Sequence, residues 1–98
     1  MSVIKIGATT FNSKAEAERF IRKVLEENRP IGSSVRKIDE QYTKFIDDLL
    51  DLHPNKDIVV GPGVKAYYCQ RIDRDALRFL LERSDGSAWA FSWRQCLS

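Results

Sequence analysis

Cys69, Cys96 and His53 are the side chains best suited to ligate a metal or supply a nucleophile. A structural zinc site takes four such ligands, and the chain has neither a C-x-x-C pair nor a second histidine. A cysteine nucleophile needs a base within hydrogen-bond reach, and no spacing brings His53 to either thiol. Asp47, Asp48 and Asp51 supply three carboxylates in five residues. They interleave with apolar residues at helical spacing, so they read as the wet face of a helix; a cation would need further oxygen ligands from elsewhere. Gly61-Pro62-Gly63 fits neither G-x-G-x-x-G nor G-x-x-x-x-G-K-[ST] and predicts no phosphate cradle. No catalytic residue, metal or cofactor is expected.

Aromatic and basic residues carry the remaining chemistry. Trp89 and Trp93 interleave with Arg78 and Arg94, and Lys65 and Arg71 lie on a neighbouring stretch. Aromatic rings stack single-stranded bases, and Arg and Lys pair with phosphates. These six residues form the expected nucleic-acid surface. The alternative is a protein-interaction surface around Trp89.

The elements that would position them follow from periodicity. Val3–Ile6 alternates as a short strand that Gly7 ends. Ser13-Lys14-Ala15-Glu16 is a capping box opening a helix over about 14–27, with an apolar stripe of Ala17, Phe20, Ile21, Val24 and Leu25. Asp39 caps a second helix over about 40–52, striped by Tyr42, Phe45, Ile46, Leu49 and Leu50, and His53-Pro54 closes it. Residues 56–63 read as a loop and Val64–Ile72 as a strand. After a turn at Asp73–Asp75, Leu77–Arg83 and Ala88–Trp93 form a hairpin around Asp85-Gly86. Ser92 caps a final helical turn, Trp93–Leu97. With Asp85-Gly86 as a two-residue turn, Glu82 faces Trp89, Leu80 faces Phe91 and Arg78 faces Trp93. Phe79, Leu81, Ala88 and Ala90 then take the opposite face, against the helices.

The predicted architecture is therefore α+β: a small antiparallel sheet with two helices packed on one face. Its order is β-α-α-β-β-β plus a short C-terminal helical turn, in one domain over residues 1–98. The net charge of +2 is weak in sum but segregated. Residues 1–37 carry eight basic and four acidic groups, residues 38–55 one and five, and residues 56–98 seven and five. The two cysteines make no disulfide framework, and both are expected to be reduced. With no apolar N-terminal segment and no membrane-length apolar run, a cytoplasmic location off the membrane is expected.

Arg83-Ser84-Asp85-Gly86-Ser87, followed by Phe91-Ser92-Trp93-Arg94-Gln95-Cys96-Leu97, resembles the closing motif of the DCL (defective chloroplasts and leaves) family. Phe11-x-Ser13-Lys14 and His53-Pro54 with Gly61-x-Gly63-Val64 resemble its opening and central stretches, so the resemblance spans nearly the whole chain. It implies a role in nucleic-acid metabolism, because plant members are linked to ribosomal RNA maturation. The partner it implies is nucleic acid, RNA ahead of DNA, or a nucleic-acid-processing protein. Without a transit peptide or long extension, the chain looks like a stand-alone prokaryotic or viral member. Trp89 and Ala90 stand where DCL proteins often have polar residues.

Overall fold

The computed structural model describes residues 3–74 and 76–97. Asp75, in the expected turn before the last hairpin, lies outside them. The fold is α+β, with a two-stranded and a four-stranded antiparallel sheet. In chain order the elements are β1 (Ile4–Ile6), β2 (Thr9–Phe11), α1 (Lys14–Glu27), β3 (Val35–Lys37), a 3-10 turn (Glu40–Tyr42), α2 (Thr43–Leu50), α3 (Lys56–Val60), β4 (Val64–Arg71), β5 (Leu77–Arg83), β6 (Ala88–Phe91) and α4 (Trp93–Cys96).

Half of the expected capping box forms: the Ser13 hydroxyl accepts from the Glu16 amide at 3.2 Å, but among the described residues no return bond joins the Glu16 side chain to the Ser13 amide. Ala17, Ile21, Val24 and Leu25 are buried along α1, and Ile46, Leu49 and Leu50 along α2. These stripes share one core cluster with Tyr67, Cys69, Phe79, Leu81 and Phe91 of the large sheet. Both helices thus serve one face of a sheet ordered β3-β4-β5-β6. The β1–β2 hairpin closes the far side of the helices, where Phe11 meets Phe20 and Phe45 at ring separations of 5.7 and 6.4 Å. Asn28 joins the two helices. Its amide donates to the Val24 carbonyl at 2.7 Å, and its oxygen accepts from the Asp39 amide at 2.8 Å. Both ends of a buried polar side chain are thereby satisfied.

Three elements lie outside the expected order. Strands β2 and β3 are three residues each, too short to show a period, and β3 is a charged sheet edge. Residues 56–60, read as loop, form the single turn of α3.

The last hairpin departs from its expected register. Asp85 has negative φ, whereas Gly86 sits at +90°, so the two-residue turn, which needs positive φ at both centres, does not form. Instead the Gly86 amide donates to the Arg83 carbonyl at 2.9 Å, and the Arg83 amide to the Ser87 carbonyl at 2.7 Å. This is a type I turn followed by a left-handed glycine bulge, and it makes the loop one residue longer. Pairing becomes Glu82↔Ala88, Leu81↔Trp89, Leu80↔Ala90 and Phe79↔Phe91. A one-residue slip sends every β6 side chain to the other face. Phe91 therefore stacks on Phe79 in the core, with centroids 5.4 Å apart and ring planes 9° apart, while Ala88 and Ala90 face outward.

Both cysteines are free thiols and buried. Burial raises each from the ordinary 9.0 to about 11. Their raised folded-state values contribute stability that is fully present below about pH 9 and is lost as pH climbs through 11. Thiol titration at pH 8 should therefore show two thiols that react slowly in folded protein and rapidly once unfolded. Rapid labelling of the native chain would contradict their burial. The register makes a second prediction. Phe91→Ala should cost about 3–5 kcal/mol in urea unfolding, and Leu80→Ala clearly less. The reverse order would restore the two-residue turn.

Candidate nucleic-acid interface

Strand β6 ends at Phe91, opposite Phe79, while β5 begins two residues earlier at Leu77. The chain leaves the sheet there and turns into α4. Ser92 precedes that helix without a side-chain cap, contrary to expectation. The early departure opens a cleft of about 590 Å³ between the start of β5, the β6–α4 junction and α1. Arg22 comes from α1, Arg78 from β5 and Arg94 from α4; Leu77, Ile72 and Trp93 give it apolar walls.

Trp93 organises this cleft from beneath. It is only 8% exposed, and the Arg22 and Arg94 guanidinium carbons lie 5.8 and 5.1 Å from its ring centroid. Both contacts are cation–π interactions. Arg78 is held separately, its Nε donating to the Gln70 side-chain oxygen at 2.7 Å. Among the described residues none of these three arginines forms an ion pair. Glu26, the carboxylate of the cleft lining, pairs with Arg29 at 3.3 Å. The lining holds neither His nor Cys. Three arginines suit such a lining to anions, since planar guanidinium groups can bind phosphate or carboxylate through paired hydrogen bonds.

The six residues expected to form one surface are divided among several places. Arg78, Trp93 and Arg94 meet at the cleft. Trp93 is a support and not an open stacking ring, because it is buried and carries two guanidinium groups. Trp89 lies toward the opposite end of β6, on the helix side of the sheet. It is 42% exposed, with the Arg83 guanidinium 4.6 Å from its ring centre. The expectation that Arg78, Trp89 and Trp93 share one sheet face fails with the two-residue turn. Arg71 donates to the Pro30 carbonyl at 2.7 Å and braces the loop before β3. Lys65 borders a second cleft of about 400 Å³ that also contains Glu40 and Asp47, where carboxylates offset its charge. Arg22 was not among the expected residues. It belongs to the wet side of the α1 stripe, and helical period does not show which part of a wet side borders another element.

The acidic side of α2 is internally satisfied. Asp48 accepts from Lys44 at 2.9 Å, Asp51 pairs with Lys56, and Asp47 accepts from the Tyr67 hydroxyl at 2.5 Å. Burial first, then this hydrogen bond, pushes the Tyr67 phenol above its ordinary range. His53 is buried, its Nδ1 accepting from the Asn55 amide at 3.0 Å. It closes a helix end and packs edge-on to Phe91, with ring centres 6.4 Å apart. Among the described residues no three His, Cys, Asp or Glu side chains gather as metal ligands, and no helix is long and apolar enough to cross a membrane.

A solution NMR structure of an uncharacterized protein from Rhodospirillum rubrum is similar to this chain, with a TM-score of 0.84 and 29% identity. The match covers 95% of this chain and 86% of that one. No curated protein matches this chain. The family match spans residues 22–97 and corrects the DCL assignment: the family is described as "Protein of unknown function (DUF3223)". Of the DCL-like residues, 83–87 and 61–64 lie at the hairpin turn and its anchoring loop, whereas 91–97 form the end of β6 and α4; the link to ribosomal RNA drawn from them falls with that assignment. By the match over residues 22–97, the chain belongs to the DUF3223 family.

Proposed function

We propose that this domain is a cytoplasmic nucleic-acid-binding module without catalytic activity of its own, and that it holds the phosphate backbone in the cleft of Arg22, Arg78 and Arg94. One observation carries the reading: three guanidinium groups from three separate elements converge on an open cleft, and no carboxylate of the described residues pairs with any of them. Arginines left unpaired at one site favour a polyanion. The Trp93 ring beneath two of them restricts their motion and lowers the entropic cost of binding. The rival reading, a protein-binding patch around Trp89, has less support, because Arg83 already covers one side of that ring.

Fluorescence-anisotropy titrations with labelled single- and double-stranded RNA and DNA, at low and high salt, test the proposal. Affinity should fall as salt rises. Arg22→Gln, Arg78→Gln and Arg94→Gln should each weaken binding and reduce the log–log salt slope by about 0.7–1 per lost phosphate contact. Lys65→Gln should change little. Folding stability of the cleft variants should stay within roughly 1 kcal/mol of the parent, since the altered groups are at the surface. Absence of binding at low salt, or equal effects from Lys65→Gln and the cleft substitutions, would overturn the assignment.

A further inference from the structure

Strand register places Lys37, Tyr68, Leu80 and Ala90 in one row across all four strands, on the face opposite the helices. Val35, Gln70 and Arg78 form the adjacent row. Arg78 and Ala90 also line the cleft, so cleft and sheet face are one continuous surface. Tyr68 is the aromatic residue of these rows. Its hydroxyl donates to Glu82, on the next strand, at 3.2 Å, which holds the ring over the sheet. Glu82 keeps its negative charge at the hydroxyl end of the ring, while Lys37 and Arg78 stand exposed on either side. Ala90 lies two strands from Tyr68, roughly 10 Å away at ordinary strand spacing.

We infer that the occupant of the cleft is a single strand, which passes Arg78 and Ala90 onto this sheet face and stacks a base on Tyr68. The inference rests on the nucleic-acid reading of the cleft and narrows it. Positive charge at Lys37 and Arg78 follows the phosphates, and the aromatic ring between them takes a base face. A duplex keeps its bases stacked inside and has none to offer Tyr68. Ala90 rises too little from the sheet to block the path.

The test uses the full chain and the same labelled oligonucleotides. Tyr68→Ala should weaken single-strand binding by about 5- to 160-fold, the range for losing one stacked base. It should leave duplex binding unchanged. Tyr68→Phe, which keeps the ring and loses the hydroxyl, should retain most of the single-strand affinity, and far-ultraviolet circular dichroism should show both variants folded. If Arg94→Gln weakens single-strand binding while Tyr68→Ala binds like the parent, the sheet-face path is wrong and the cleft reading stands. Equal losses for single strands and duplexes in Tyr68→Ala would also overturn the path. If the parent binds no oligonucleotide, the cleft reading fails first and this inference with it.

Discussion

The register of the β5–β6 hairpin is the constraint on which the rest of the structure depends. A left-handed glycine at Gly86 lengthens the turn by one residue, and that residue decides which β6 side chains enter the core. With it, Phe91 stacks on Phe79, and the chain leaves the sheet at Ser92 in time to place Trp93 under α1. Without it, Phe91 and Trp89 would point outward, two alanines would fill their places, and Trp93 would extend the strand. The turn is also tied to the rest of the fold. The Ser84 amide donates to the Gly63 carbonyl at 2.9 Å, and its hydroxyl to the Pro62 carbonyl at 3.1 Å. Arg83 reaches the carbonyls of Val59 and Ile58 at the end of α3. A Cβ at Gly61 would stand 3.1 Å from the Arg83 guanidinium carbon, on a backbone already at positive φ. Gly61 therefore admits the arginine by having no side chain.

The same contacts show what was legible in the sequence. Both helical stripes, the Ser13 cap and the strands over 64–71 and 77–83 were readable, the stripes and strands because burial on one face imposes a period long enough to detect. The hairpin was readable as a hairpin, but its register was not. Asp85-Gly86 suits a two-residue turn, yet the sequence does not show whether Asp85 itself takes positive φ. The choice is made by tertiary contacts: Phe91 gains a ring partner, and Ser84 and Arg83 gain carbonyls. The resemblance to DCL proteins rested partly on these turn and loop residues.

Charge placement was legible in sum and not in detail. The acidic segment over 38–55 is as negative as its composition says, but much of α2 spends that charge locally, on Lys44, Lys56 and the Tyr67 hydroxyl. Among the basic residues the partners differ. Arg71 and Arg83 are committed to backbone carbonyls, and Lys65 shares a cleft with two carboxylates. These commitments are long-range, so a count of basic residues along the chain could not separate structural arginines from those of the cleft.

Trp93 gives the last step. As an exposed ring it would have been one more stacking surface. Buried, it acts through what it holds, because two guanidinium groups with otherwise flexible stems are drawn onto it. An exposed cation–π contact is worth about 0.5–1 kcal/mol, comparable to the cost of immobilising one long side chain on binding, about 0.5–1.5 kcal/mol. The fold thus meets part of the ordering cost of Arg22 and Arg94 before any ligand arrives. A solvent-exposed lysine such as Lys65 has no such support and must lose its rotamer freedom at the moment of contact. In the proposed reading, the cleft owes its strength less to the number of its charges than to the ring beneath them, and that ring is in place because the hairpin turn is one residue longer than its sequence suggests.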